Sequence, residues 1–105
     1  MSVNKVILLG NVGADPEMRY PEQGMAVATF PLATNERRGE MEITEWHRIV
    51  MTGKNAEIAE KYIRKGTMLY VEGKLRTRTW EDKLNIKRSV TEILVDRFEL
   101  LGRKS

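Results

Sequence analysis

The sequence predicts a small all-β protein, a five-stranded barrel with one α-helix between the third and fourth strands. Segments rich in β-branched and aliphatic residues recur along the chain and are separated by glycines, prolines and polar turns. One segment instead has the spacing and end signals of a helix. The length of 105 residues suits a single domain with one core.

The first two predicted strands lie on either side of a turn-rich connection. Val3–Val12 has apolar residues on both faces, as expected of a strand in a strongly curved sheet. Ala14–Gly24 contains two prolines and is predicted to be a connection, in which Met18–Tyr20 could add a brief pairing. Met25–Thr34 is the second strand, and its Pro31 cannot donate to a ladder, so we expect that residue at an edge or bulge.

A polar hairpin and a third strand follow. Asn35–Glu42 is predicted to be the hairpin loop, with Gly39 near its tip. Ile43–Thr52 is the third strand, and alternation places Trp46 and Arg48 on the same face. A tryptophan in a strand most often packs in the core, whereas a ring beside a cation is also typical of surfaces that bind unpaired bases.

The predicted helix is Lys54–Lys65, with Asn55 as its N-cap and Gly66 at its end. A turn at Glu81–Lys83 then separates the fourth strand from a last strand, Ile86–Leu100. Five strands with a helix between the third and fourth form the layout of an OB-fold, a small barrel whose open face binds oligonucleotides.

The fourth strand, Thr67–Trp80, has two unlike faces. The face that can be buried carries Leu69, Val71, Gly73 and Leu75. The other carries three cations between two aromatic rings, namely Tyr70, Lys74, Arg76, Arg78 and Trp80. Cations at this spacing can follow a phosphate backbone while the rings stack on bases. The alternative is an exposed strand made soluble by its charge, with Trp80 packed on a neighbour.

The charge is unevenly distributed. The segment Lys61–Arg88 has nine basic and three acidic residues, a formal charge of +6, whereas the whole chain has +3. This asymmetry favours a polyanion that docks on one side. The chain has no cysteine, and we find no signal peptide and no apolar run near the ~20 residues of a membrane span. We therefore expect a soluble cytoplasmic protein without disulfides.

Catalytic and cofactor sites are not indicated. Thr52-Gly53-Lys54 hints at a phosphate loop, but that motif needs a glycine at position 48, which is Arg48. His47 and Glu45 share a strand face without a nucleophile motif, and a single histidine cannot form a zinc cluster. We expect a binding protein, not an enzyme, with no cofactor and no metal.

Four runs closely resemble the DNA-binding domain of bacterial single-stranded DNA-binding proteins, namely VNKVILLGNVGADPEMRY, VATFPLATNE, TEWHRIVMTGKNAEIAEKYIRKG and MLYVEGKLRTRTW. The resemblance covers nearly the whole chain and implies an OB-fold domain over residues 1–102. It also implies a homotetramer that wraps single-stranded DNA without sequence preference during replication, recombination and repair. Such a protein would be associated with the nucleoid.

The resemblance also implies residue roles. Trp46 and Trp80 match positions where the family stacks bases. The cations expected along the DNA, from the resemblance or from the strand pattern, are Arg38, Arg48, Lys54, Lys65, Lys74, Arg76 and Arg78. Positions that the family uses mainly in subunit contacts are matched by Lys5, His47, Tyr70 and Glu72. Tyr70 is therefore expected at an interface rather than as a stacking ring.

The chain departs from the family pattern at three places. Arg38 and Thr52 stand where many members have aromatic rings, so we expect weaker affinity or a shorter footprint. After Leu101 there are four residues, and 103–105 are expected to be a short end without the acidic tail that recruits replication and repair proteins. The chain would be a naturally short member or a trimmed domain.

Two other binding functions remain open at this stage. One is a primosome-type assembly factor, a short relative whose main task is protein contact during replication restart. The other is an RNA-binding OB module, because base stacking does not by itself exclude ribose.

Overall fold

The structure, a computed structural model, describes the backbone of residues 1–103 and the side chains of that range other than Glu22 and Arg103. The described residues form six strands and one helix, in the order β1 (Val6–Val12), β2 (Glu17–Glu22), β3 (Met25–Arg38), β4 (Met41–Thr52), α1 (Gly53–Tyr62), β5 (Thr67–Glu81) and β6 (Lys87–Arg103). The predicted fold class is confirmed, with α1 between the predicted third and fourth strands. The short C-terminal end expected at 103–105 lies outside the described residues, except for the Arg103 backbone.

The strands form one sheet that closes on itself. Their order is β1-β5-β6-β4-β3-β2, and the end of β1 also pairs with β3 through Asn11 and Ala33. The pairing of β4 with β6 is parallel, and the remaining pairings are antiparallel. Pro31 lies where β3 changes partner from β2 to β1, and its carbonyl accepts from the Gly13 N–H at 2.9 Å. The ladder can lack a donor at this local edge, as expected.

The segment between the first two predicted strands contains a strand of its own. β2 pairs with β3 in a register that places Met18 opposite Ala28, and the register becomes irregular between Arg19 and Glu22. The prediction of a connection with a brief pairing therefore understated this strand. Pro21 within β2 did not prevent pairing, because β2 lies at the end of the strand order, where one side needs no ladder donors.

The prediction of a hairpin loop over Asn35–Glu42 is wrong. β3 and β4 continue through most of this range and leave a turn at Gly39 and Glu40. Polar side chains support the pairing; the Thr44 hydroxyl donates to Asn35 Oδ1 at 2.7 Å. The residues are mostly exposed on both faces because this arm extends beyond the core. An arm of this kind has no apolar alternation, so its sequence resembles a loop.

The core forms between the inner face of the sheet and α1. Its largest fully buried side chains are Phe30, Leu32, Ile49, Met51, Ile63, Leu69 and Val71. The predicted inner face of β5 is confirmed as far as Gly73, where an added Cβ would lie 2.0 Å from the Leu94 carbonyl oxygen. Leu75 is 49% exposed, contrary to prediction, because β5 and β6 extend past the core there as a second arm.

The helix begins and ends earlier than predicted. Its N-cap is Thr52 instead of Asn55, and it ends at Tyr62 instead of Lys65. The Arg64 N–H donates to the Thr67 hydroxyl at 3.1 Å, and the Lys65 N–H donates to Asp15 Oδ1 at 2.8 Å. These side-chain acceptors replace the helical carbonyls, so the chain turns toward β5 after the last helical turn.

Candidate nucleic-acid interface

Two strands, β4 and β5, present arginines on one outer face of the barrel, on either side of β6. β6 lies between β4 and β5 in the sheet. Ile49 of β4 and Ile93 of β6 are buried in the core, so alternation points their neighbours Arg48 and Glu92 outward. The register places Arg76 of β5 directly opposite Glu92.

Glu92 binds three arginines, and we call Arg48, Arg76, Arg78 and Glu92 the arginine cluster. Arg78 donates to both carboxylate oxygens of Glu92, from Nε at 2.8 Å and from Nη2 at 3.1 Å. Arg48 Nε donates to Oε2 at 3.0 Å, and Arg76 Nη2 lies 3.7 Å from Oε1. The Glu92 side chain is 3% exposed, whereas each arginine side chain is about half exposed.

The cluster keeps a net positive charge at neutral pH. The Arg78 hydrogen bonds are the main reason that the pKa of Glu92 is lowered to about 2. Burial opposes this shift, and Arg48 adds to it. Glu92 is therefore ionised, and three guanidinium groups surround one carboxylate. The net charge of +2 is exposed on the outer edges of the arginines.

The cluster forms one side of an open depression of about 600 Å³ that also includes Trp80. The Trp80 ring is 45% exposed, and Arg78 Cζ lies 5.7 Å from its centroid. This is within the range of a cation–π contact. Glu17 and Arg19 of β2 also line this depression.

Trp46 lies beside this depression and is 61% exposed. It lines a second depression, and the two share Glu17, Thr29 and Arg48. The Trp46 ring packs over Gly13, where an added Cβ would come within 2.4 Å of Cζ3. Both tryptophans are therefore outside the core, on one continuous surface with Arg48 between them.

The other predicted cations are exposed but lie outside the arginine cluster. Lys54 is in the first turn of α1, Lys65 follows the helix, and Lys74 precedes Arg76 on β5. Arg38 lies at the tip of the first arm, where its Nε is 3.4 Å from Glu36 Oε1. The structure therefore gathers Arg48, Arg76 and Arg78 and leaves these four at the periphery.

Three of the four residues expected in subunit contacts lie together. Lys5 Nζ is 3.1 Å from Glu72 Oε1, and the Tyr70 hydroxyl donates to Glu72 Oε2. The Tyr70 hydrogen bond, followed by that of Lys5, lowers the pKa of Glu72, and the same contact with Glu72 raises the pKa of Tyr70. Tyr70 and Glu72 lie opposite Leu9 and Ile7 of β1, which are 56% and 58% exposed. We call these five residues the β1 patch.

His47 lies elsewhere. Its Nε2 is 2.8 Å from the Thr34 hydroxyl, and it borders the depression beside Trp46. The expected subunit-contact residues therefore occupy two separate parts of the barrel.

Two residues of the surface were missed by sequence reasoning. Arg19 was assigned to a connection, although Glu17, Arg19 and Pro21 alternate with Met18 and Tyr20 as strand residues would. Glu92 stands in the run SVTEILV, where an acid among apolar strand residues is itself unusual. Its partners could be identified only with the register of β5 on β6.

Metal binding and membrane insertion find no support in the described residues. Within 1–103 the structure brings together no group of three or more metal-ligating side chains. No helix in that range is both long enough and apolar enough to cross a membrane.

Comparisons with known proteins also point to nucleic-acid binding. Residues 3–101 match the model of the single-strand binding protein family. The chain is 52% identical over 111 residues to a single-stranded DNA-binding protein of Bacteroides thetaiotaomicron, an alignment that covers 99% of this chain and 69% of that protein. Its structure is similar to that of Plasmodium falciparum SSB in a complex with ssDNA, with a TM-score of 0.84, 38% identity and coverage of 99% and 97% of the two chains.

Proposed function

The chain belongs to the single-strand binding protein family and is a single-stranded DNA-binding protein, and we propose that it covers and protects single strands by base stacking and backbone electrostatics. Its relatives are DNA-binding proteins rather than enzymes. We further propose that residues 1–102 are the DNA-binding domain. The protein would act in replication, recombination and repair at the nucleoid. There it would contact the proteins of those processes.

The observation that carries this mechanism is the surface on which two exposed tryptophans flank Arg48. Unpaired bases would stack on Trp46 and Trp80, while the arginine cluster contacts the phosphates between them. Duplex DNA would bind less well because its bases are already stacked inside the helix. Both contacts tolerate any base, so binding would not depend on sequence.

The peripheral cations would extend the DNA path beyond the cluster. Lys54, Lys65, Lys74 and Arg38 are exposed and would contact phosphates farther along the strand. Arg38 and Thr52 replace rings found in many family members, and each base stack contributes on the order of 1 to 3 kcal/mol. We therefore expect weaker binding or a shorter footprint, with Arg38 recovering part of the loss through its guanidinium.

We also propose that the chain assembles as a homotetramer. The β1 patch exposes Ile7 and Leu9 side by side, and an apolar pair framed by polar groups suits contact with a second copy. His47 lies on a different part of the barrel. A closed tetramer with twofold symmetry needs more than one self-complementary surface, so two separate contact regions support this state over a dimer.

Tryptophan fluorescence during titration with oligo-dT tests the function. We expect strong quenching in the wild-type protein and a smaller change in W46A and in W80A, since each variant lacks one stacking ring. Y62A is the matched control, because Tyr62 is an exposed aromatic residue on α1 that lines neither of the two depressions. It should bind as the wild type does.

Competition with matched oligo-rU in the same assay separates DNA from RNA binding. Stronger competition by oligo-rU than by oligo-dT would favour an RNA-binding module. If tryptophan emission does not change when oligo-dT is added, base stacking on the two tryptophans is contradicted.

A further inference from the structure

We propose that Glu92 is a positioning residue of the DNA-binding surface, which holds Arg48 and Arg78 in place and, through Arg78, orients the Trp80 ring. The proposal rests on the proposed function and deepens it. Glu92 lies on the central strand of the three, with Arg48 on one side and Arg78 on the other. One carboxylate therefore sets the relative placement of groups from both neighbouring strands.

The bonding geometry fixes the arginines tightly. Arg78 makes a two-pronged contact through Nε and Nη2, and Arg48 bonds to Oε2 through Nε. Three guanidinium groups at this spacing would otherwise repel one another and take up many rotamers. Glu92 relieves the repulsion and restricts the rotamers before DNA arrives.

Glu92 can do this without occupying the phosphate-binding groups. It is 3% exposed and lies beneath arginine side chains that are 46–51% exposed. A guanidinium has five N–H donors, and Arg48 uses only the Nε donor on Glu92. The other Arg48 donors are not used on Glu92 and the side chain is 47% exposed, so a phosphate can bind without displacing the carboxylate.

Arg78 links the carboxylate to the stacking ring. Its Cζ lies 5.7 Å from the Trp80 centroid, so the Arg78 guanidinium covers one side of that ring. By holding Arg78, Glu92 also determines where the guanidinium lies on the ring. The rest of the ring is available to a base. Loss of the Glu92 contact should therefore change Trp80 even in the absence of DNA.

The sign of one substitution separates positioning from simple charge. E92Q removes a negative charge from a surface that binds phosphates, so charge alone predicts tighter binding. Positioning predicts weaker binding, because an amide cannot accept the same charge-assisted hydrogen bonds from Arg48 and Arg78. The two explanations thus differ in direction and not only in size.

The test is equilibrium titration of the wild type, E92Q and E17Q with oligo-dT at several salt concentrations. We expect E92Q to bind roughly threefold to tenfold more weakly, as loss of ordered charge-assisted hydrogen bonds implies. E17Q is the matched control, because Glu17 lines the same depression but pairs with Arg19 at 3.0 Å and leaves the cluster intact. It should bind more tightly than the wild type.

The proposal is overturned if E92Q binds as tightly as the wild type or more tightly, or if E17Q weakens binding as much as E92Q does. R78K keeps the test valid if E92Q does not fold. Lysine keeps the positive charge but cannot make the two-pronged contact, so we expect a similar loss of affinity. Wild-type affinity in R78K would overturn the proposal.

Acrylamide quenching of free protein in a W46F background isolates Trp80. We expect E92Q to change the quenching of Trp80 while its unfolding transition remains cooperative. Unchanged quenching would contradict the link through Arg78. Failure of the wild type to bind oligo-dT would refute the proposed function instead, and the DNA-free quenching would still test the positioning.

Discussion

Acidification should remove a measurable part of the folding stability through Glu92. The pKa of this carboxyl is lowered from its ordinary value of 4.5 to about 2 in the folded protein, first by Arg78 and then by Arg48. A carboxyl with a lowered pKa in the folded state stabilises the protein above its unfolded pKa. That stabilisation is lost as the pH falls from about 4.5 toward 2.

The magnitude follows from linkage between protonation and folding. A pKa shift of this size corresponds to roughly 3 kcal/mol of folding stability when the carboxyl is fully ionised, at about 1.4 kcal/mol for each unit of pKa. Between pH 7 and pH 4 the loss through Glu92 should be about 0.8 kcal/mol, and between pH 7 and pH 3 it should be about 2 kcal/mol. The pKa values of Glu72 and Asp82 are also lowered, so total acid destabilisation will be larger.

Urea unfolding of the wild type and E92Q at pH 7, 4 and 3 isolates the part due to Glu92. Protein concentration is held constant, because assembly would shift the apparent stability. The glutamine side chain does not titrate, so the difference in unfolding free energy between the two proteins should shrink by the amounts above. If the unfolding free energies of the wild type and E92Q differ by the same amount at pH 7, 4 and 3, Glu92 is not an ionised centre of the cluster.

Three further substitutions test other parts of the structure. G13A should displace the Trp46 ring, because the new Cβ would come within 2.4 Å of it, and altered emission with weaker oligo-dT binding should follow. R38W should strengthen oligo-dT binding by about 1 to 3 kcal/mol by adding a stacking ring at the tip of the first arm, measured by titration. L32A should lower the unfolding free energy by about 2 to 5 kcal/mol in urea, because Leu32 is 0% exposed. Affinity unaffected by G13A or R38W, or stability unaffected by L32A, would contradict these assignments.

Local periodicity predicted the fold wherever a strand has one buried face. The inner residues of β5 up to Gly73 and the existence of the helix were predicted this way. The same rule failed for Leu75 and for Asn35–Glu42, because strand arms that extend past the core have no buried face to impose alternation. The end of α1 was also missed, since Asp15, which accepts the Lys65 N–H, is distant in sequence.

The candidate site was predictable in its residue types but not in its arrangement. Trp46, Arg48, Arg76, Arg78 and Trp80 follow from alternation on two strands and from the resemblance to the family. Glu92 could not be assigned from sequence, because its role depends on lying between β4 and β5 and on the register that sets it opposite Arg76. Sequence also could not show that Lys54, Lys65 and Arg38 lie apart from the cluster.

The most direct test of the central claim is the affinity for oligo-dT, compared with that for a duplex of equal length, over a range of salt concentrations. If about four to six phosphates contact each subunit, log affinity for the single strand should fall against log salt with a slope of about −3 to −4. The single strand should bind more tightly than the duplex at every salt concentration, because only its bases can stack on the tryptophans. A nearly flat slope, or equal affinity for the duplex, would contradict binding by stacking and backbone electrostatics.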